Sequence, residues 1–459
     1  MGSLEDKLKA SGGAVRMLRS APLGPYVFPV PPEFSNWRDE QRAWREGVAL
    51  IDQSFHMTDL YVQGPDTLRL LSDLAINSFE GFGRDKAKQL VACSPDGFVI
   101  GDMIVFGLED DAVNIVGRPV VANWVQFKAE AGGYRVTVER DERSVSNPRP
   151  RKTFRYELQG PRAWALLEEL NGGPIEGIRF FHMGAVDIAG HTLRCLRHGM
   201  GGAAGLEFWG PAELGPEVKA AILRAGEGHG LRQIGGRAYS SICVDSGWIP
   251  SPLPAIYTSP GLREYREWLP ADGYEANNAI AGSFVSDNIE DYYTNPFELG
   301  YGSFIKHDHD FVGKDALAAI DPAAQRRKVT LEWNSEDVTK LFGSIFGEGD
   351  GYQVFDLPNA NYGSTNADAV LDADGNVVGL SMFTGYSANE RAALSLATIS
   401  PDVPLGAEVT VVWGEPDGGT RKTVVQPHKQ FAVRAIVSPA PFSKMARETY
   451  HQGWRTATV

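Results

Sequence analysis

An internal repeat limits what this chain can fold into more than any other feature. Tyr61-Val62-Gln63-Gly64-Pro65 leads into residues 66–74, and Glu157-Leu158-Gln159-Gly160-Pro161 leads into residues 162–170. Each reads as a strand, a Gly-Pro turn and a helix with paired leucines, Leu70-Leu71 in one copy and Leu166-Leu167 in the other. Proline suits a first helical turn, where its missing N–H has no partner to lose. Copy one continues with strands near 98–106 and 112–116 and a helix near 120–131. Copy two continues with strands near 192–197 and 206–209 and a helix near 213–225. Two strand–helix–strand–strand–helix units predict an α+β core with pseudo-twofold symmetry.

Asn147-Pro148-Arg149-Pro150 separates the copies and reads as a linker. After Asp321 the texture changes. Short β-rich runs at 328–333, 375–382, 408–413 and 431–437 alternate with Gly/Pro/Asn/Asp turns, which predicts a separate β-barrel or sandwich. Prolines at 22, 25, 29, 31 and 32 mark the first residues as an extended arm. The expected organisation is an arm over 1–35, an α+β domain over 36–321 with repeats at 36–150 and 151–245, and a barrel over 322–459.

The formal net charge of −14, spread along the 459 residues, disfavours nucleic acid as a partner, because neutralising phosphates needs a basic face. Three scattered cysteines (Cys93, Cys195, Cys243) give neither a disulfide framework nor a zinc site and read as buried free thiols. No run approaches the length needed to span a bilayer, so the expected location is the cytoplasm, with no membrane partner.

No GxGxxG, P-loop, HExxH or GxSxG is present. His307-Asp308-His309-Asp310 reads as a solvated turn rather than a metal cluster, and no metal is expected. His56 lies on a strand-like segment near Asp52, Gln53 and Asp59, as a structural or a site histidine. Arg118 leaves an apolar strand just before Pro119, placed to hold a carboxylate or simply exposed. Glu207 shares a strand face with Gly205 and Trp209, opposite Leu206 and Phe208, where it binds the polar edge of a ligand or faces water. Tyr239, in the run from Arg237 to Trp248 and on to Pro252, is packed or catalytic.

Together these segments resemble the glycine-cleavage aminomethyltransferase (T-protein) family. Asp52-Gln53-Ser54-Phe55-His56-Met57 is similar to its Asp-x-Ser-His-Met strand with one residue inserted, and Gly64-Pro65-Asp66-Thr67 to its Gly-Pro-Asp-Ala helix start. Asn295-Pro296-Phe297-Glu298-Leu299-Gly300, Phe311-Val312-Gly313-Lys314-Asp315-Ala316-Leu317 and Val378-Gly379 extend the likeness toward the C-terminus. Amine-using members carry a paired acid where Gly101-Asp102-Met103-Ile104-Val105 keeps one, and an Asn where this chain has Arg118. Losing an acid and gaining a guanidinium suits an anionic substrate.

A closer resemblance is to the tetrahydrofolate-dependent vanillate/3-O-methylgallate O-demethylases. It rests on PEFSNW (32–37), GWIPSPLPAIY (247–257), YREWLP (265–270), SFVSDNIEDYY (283–293), MFTGY (382–386) and QPHK (426–429). The resemblance implies transfer of a methoxy methyl from a lignin-derived aromatic acid to tetrahydrofolate. It implies an aromatic-acid site of Gln53, His56, Arg118 and Tyr239, with Phe28 where a tyrosine is expected and Phe55 in place of a histidine. Gln89, Val116, Glu207, Arg237 and Trp248 are implied to line the folate site, with Tyr239 and His56 catalytic. An amine or sulfonium demethylase on the same scaffold is the alternative.

Overall fold

The computed structural model describes the chain except Met1, Leu23, Pro25, Pro148, Glu176, Ser251, Thr420, Arg421 and residues 457–459. Pro25 of the arm, Pro148 of the linker and Ser251 of the 247–257 run therefore lie outside the described residues.

The repeat is visible as two sheets of the same strand order. In copy one, Thr58–Gln63 runs antiparallel beside Ala112–Gly117, followed outward by Val99–Glu109 and Ala87–Cys93. In copy two, Thr153–Gln159 runs beside Gly205–Pro211, then His191–Arg197 and Met183–Ile188. Thr137–Asp141 flanks the first sheet, and Val48–Asp52 with Leu231–Ile234 flanks the second. The flanking strands and the outermost strand of each copy were not in the expected unit. The flanking strands are short, and Ala87–Cys93 has its apolar residues bunched at one end.

The two Gly-Pro turns explain themselves sterically. Gly64 has φ +145°, and a Cβ there would sit 2.3 Å from the Arg135 carbonyl oxygen. Gly160 has φ +132°, and a Cβ there would sit 2.4 Å from the Gly47 carbonyl oxygen. Backbone passes so close to both that only glycine fits. The prolines lie in the turn itself, because the helices Thr67–Leu74 and Ala163–Asn171 begin one residue after the starts expected at 66 and 162.

Residues 53–57 cross from the second sheet to the first, so His56 sits in a turn rather than on a strand. Buried ion pairs seal that crossing. Arg151 bonds Asp141 (3.1 Å) and Asp59, while Arg155 reaches Asp59 (3.5 Å) and Glu207.

A closed barrel of six strands, beginning at Arg327–Trp333 and ending at Phe431–Ser438, follows the core. The first residues are not extended throughout. Leu4–Ser11 and Ala14–Arg19 are helices, the first opened by a Ser3/Asp6 capping box. Cys93, Cys195 and Cys243 are buried free thiols. No helix among the described residues is long and apolar enough to cross a membrane.

Candidate active site

The two sheets, the helix Gly236–Ser246 and the barrel enclose a cavity of about 570 Å³, within the range of small-molecule sites. Gln53, His56, Gln89, Val116, Arg118, Glu207, Tyr239, Trp248 and Phe28 all line it. Arg237 does not. In a helix, residues two apart point about 200° apart, so Arg237 and Tyr239 cannot share a face. Tyr239, Ile242, Cys243 and Ser246 form the face toward the cavity. Arg237 turns outward to Glu33 (2.5 Å) and the Leu357 carbonyl (2.8 Å).

At the centre, Tyr239 Oη lies 3.1 Å from His56 Nε2, with both side chains buried. Burial, then the Arg118 charge, pushes His56 down to about 3, so the imidazole is neutral at neutral pH. Burial, reinforced by Glu157 and Glu207, raises Tyr239 well above the ordinary phenol value, so it is an O–H donor and not a tyrosinate.

The arm closes this end. Phe28 packs 4.5 Å from the Tyr239 ring and 5.1 Å from His56. Tyr26, two residues away, also lines the cavity. Its hydroxyl bonds the His56 carbonyl, and the guanidiniums of Arg118 and Arg143 lie 4.9 and 5.5 Å from its ring centroid. The arm is held down because Gly236 and Arg237 donate to the Pro31 and Pro32 carbonyls (2.9 and 3.0 Å). A Cβ at Gly235 would collide with Pro32. Apart from the Tyr26 ring, Arg118 makes no hydrogen bond or ion pair among the described residues. Its guanidinium faces the cavity unbonded, within electrostatic reach of Asp102, whose carboxyl burial raises above the usual range.

The other wall carries acids. Glu207 is buried, with Oε1 on Arg155 and Oε2 without a hydrogen bond among the described residues. Directly across the strand pair is Glu157, lifted to about 8 by burial and then by Glu207. Gln53 Nε2 donates to Glu157 at 2.6 Å, which ties the two walls together. Glu157, His198 and Glu207 bring ligand atoms within 4.8 Å of one another, a convergence no sequence spacing announces. Arg155 already supplies a cation against Glu207 there. Gln89 Nε2 donates to Asp102 (2.5 Å), and Trp248 Nε1 donates to the Tyr301 hydroxyl (3.0 Å). Trp248 reaches the cavity because Gly247 ends its helix in the left-handed region, where a Cβ would press on Pro441. An open carboxylate oxygen on Glu207, among Phe106, Ile104 and Val116, fits a flat heterocycle with N–H groups on its edge. His307–Asp310 stays outside this site. The His309 nitrogens are taken by Asp308 (2.8 Å) and the Ala75 carbonyl (3.0 Å).

Known proteins place this architecture. The family model described as the GCVT N-terminal domain matches residues 7–250. Syringate O-demethylase of Sphingobium sp. (strain NBRC 103272 / SYK-6) is 43% identical over 457 residues, covering 99% of both chains. Sesamin methylene transferase of Sinomonas sp. (strain No.22) is 29% identical, over 84% of this chain and 86% of the relative. The glycine cleavage system aminomethyltransferase T from Bartonella henselae shares the fold at a TM-score of 0.58 and 16% identity, over 89% of this chain and 90% of that one. Matched over more than half its length by the family model and end to end by a 43% identical relative, the chain belongs to the GCVT family and is a tetrahydrofolate-dependent methyltransferase.

Proposed function

We propose that the protein is an aryl methyl ether O-demethylase acting on methoxylated aromatic acids of the vanillate, 3-O-methylgallate and syringate type. The observation that carries this reading is Arg118, an unpaired guanidinium facing the same cavity as the Tyr239–His56 pair. An amine substrate would put its own cation beside that charge, whereas an aromatic carboxylate neutralises it. The likeness to a syringate O-demethylase supports the same substrate class.

An aryl methyl ether resists cleavage because its leaving group is a phenolate. Tetrahydrofolate supplies a neutral amine nitrogen, N5, as the methyl acceptor. Arg118 anchors the carboxylate and so fixes the ring, while Glu207, Gln89 and Trp248 fix the acceptor's edge and face. Holding two reactants in line in this way is worth up to about 7–11 kcal/mol. Tyr239 donates its O–H to the ether oxygen as negative charge grows there, and the proton that N5 gives up on methylation makes good the balance, so the products are a neutral phenol and 5-methyltetrahydrofolate. Neutral His56 donating from Nε2 to the Tyr239 oxygen leaves the tyrosine proton free for that task. A leaving phenolate in this cavity meets the same desolvation as Tyr239, so the two oxygens stay comparable in proton affinity and share the proton. Gln53, held by Glu157, orients a neighbouring ring hydroxyl.

The test is a substrate panel of vanillate, 3-O-methylgallate, syringate and dimethylsulfoniopropionate with tetrahydrofolate, read by chromatography. The expected result is a liberated phenol from at least one aromatic acid and no turnover of the sulfonium. Turnover of the sulfonium alone would overturn the reading.

A further inference from the structure

A second set of cations lines the same cavity, supplied by the barrel and the residues after the final helix. Lys328, on the first barrel strand, makes no hydrogen bond or ion pair among the described residues and lies over Gly300, where a Cβ would meet its Nζ at 3.5 Å. Arg455 follows the π-type helix Met445–Trp454 and packs 4.3 Å over the Phe180 ring. Its Nη1 donates to His451 Nδ1 at 2.5 Å, and among the described residues it has no carboxylate partner. Burial and then the Arg455 and Lys328 charges hold His451 at about 4, so it is neutral, and accepting on Nδ1 leaves Nε2 its proton to donate.

The helix that brings these groups in is firmly seated. The Tyr450 hydroxyl donates to the Gly199 carbonyl (2.8 Å) and receives the Gly199 N–H (3.1 Å). Arg197 bonds the Trp454 carbonyl (2.6 Å), and a Cβ at Gly202 would collide with Ala446. Asp102 offsets the Lys328 charge, whereas no acid among the described residues acts on Arg455, and a second cation on this wall, in a chain of net charge −14, is costly unless an anion joins it.

We propose that Lys328, His451 and Arg455 form an anion subsite for the glutamyl carboxylates of tetrahydrofolate, supplied by the barrel and the final helix. All three lie beyond the residues matched by the family model. The inference rests on the folate reading and adds a preference. Ligands with more glutamyl carboxylates bind more tightly, because each adds an acceptor for a fixed donor.

Calorimetry tests it with tetrahydrofolate, its triglutamate, tetrahydropteroate (which lacks glutamate) and vanillate as separate titrants. The parent protein should bind triglutamate more tightly than tetrahydropteroate. Arg455→Ala and Lys328→Met should each weaken tetrahydrofolate about 10-fold, leaving tetrahydropteroate and vanillate unchanged. Arg455→Lys should keep most of the affinity. Equal losses for tailed and tailless pteridines, or no loss at all, would overturn the subsite. A comparable loss for vanillate would reassign these cations to the aromatic carboxylate and also overturn it. Failure of the parent to bind any of the pteridines would overturn the folate reading itself.

Discussion

Replacing Tyr239 by phenylalanine is expected to lower kcat about 10²- to 10³-fold while both ligand affinities barely move. The change deletes one hydroxyl and almost no volume. That hydroxyl touches His56 Nε2 (3.1 Å) and the Met200 sulfur (3.6 Å), so the packing that positions the ligands survives. What is lost is a donor aimed at charge that exists only in the transition state. A substrate whose leaving phenol is more acidic, such as a nitro-substituted methoxybenzoate, needs that donor less and should be hurt less by the substitution. Near-normal turnover by Tyr239→Phe would move the role to His56 or water.

Arg118→Ala is expected to do the complementary thing. It should reduce kcat/KM for aromatic carboxylates on the order of 10²-fold and leave the folate dissociation constant nearly unchanged, since truncating one partner of a buried charge pair costs about 2–5 kcal/mol. Guaiacol, which has the methoxyphenol and no carboxylate, gives the control. The parent should use it poorly, and the variant should lose little further on it. Arg118 also lies over the Tyr26 ring, so a purely structural role would loosen the arm. Thermal stability and affinity for both ligands would then fall together, and the anion-anchor assignment would fail.

How much of this was legible in the sequence depended on whether a feature is local. The repeat could be read because Gly64 and Gly160 sit where backbone approaches within van der Waals contact, and the surrounding period-2 and helical patterns are strong. The barrel strands were legible for the same reason. The arm was only half legible. Its prolines, at 22–32, follow the helices Leu4–Ser11 and Ala14–Arg19 and carry no signal of them, and Tyr26 reaches the site beside Phe28.

Glu157 stood in the quoted repeat but gave no sign that it would face Glu207 across the strand pair, because register is not encoded in either segment alone. Arg237 came in with the resemblance, and a helical projection of Gly236–Ser246 already separates it from Tyr239. Lys328, His451 and Arg455 left no signal. Their convergence depends on how the barrel and the last helix dock against Gly199 and Gly202, which no local pattern specifies.

The most direct test of the methyl-transfer account follows the carbon itself. The enzyme is incubated with tetrahydrofolate and an aromatic acid carrying ¹³C in its methoxy group, and the products are read by NMR. The account predicts that the label appears on N5 of the folate in a one-to-one ratio with the liberated phenol, without oxygen uptake. Label recovered as formaldehyde or methanol, or phenol released without folate, would contradict it.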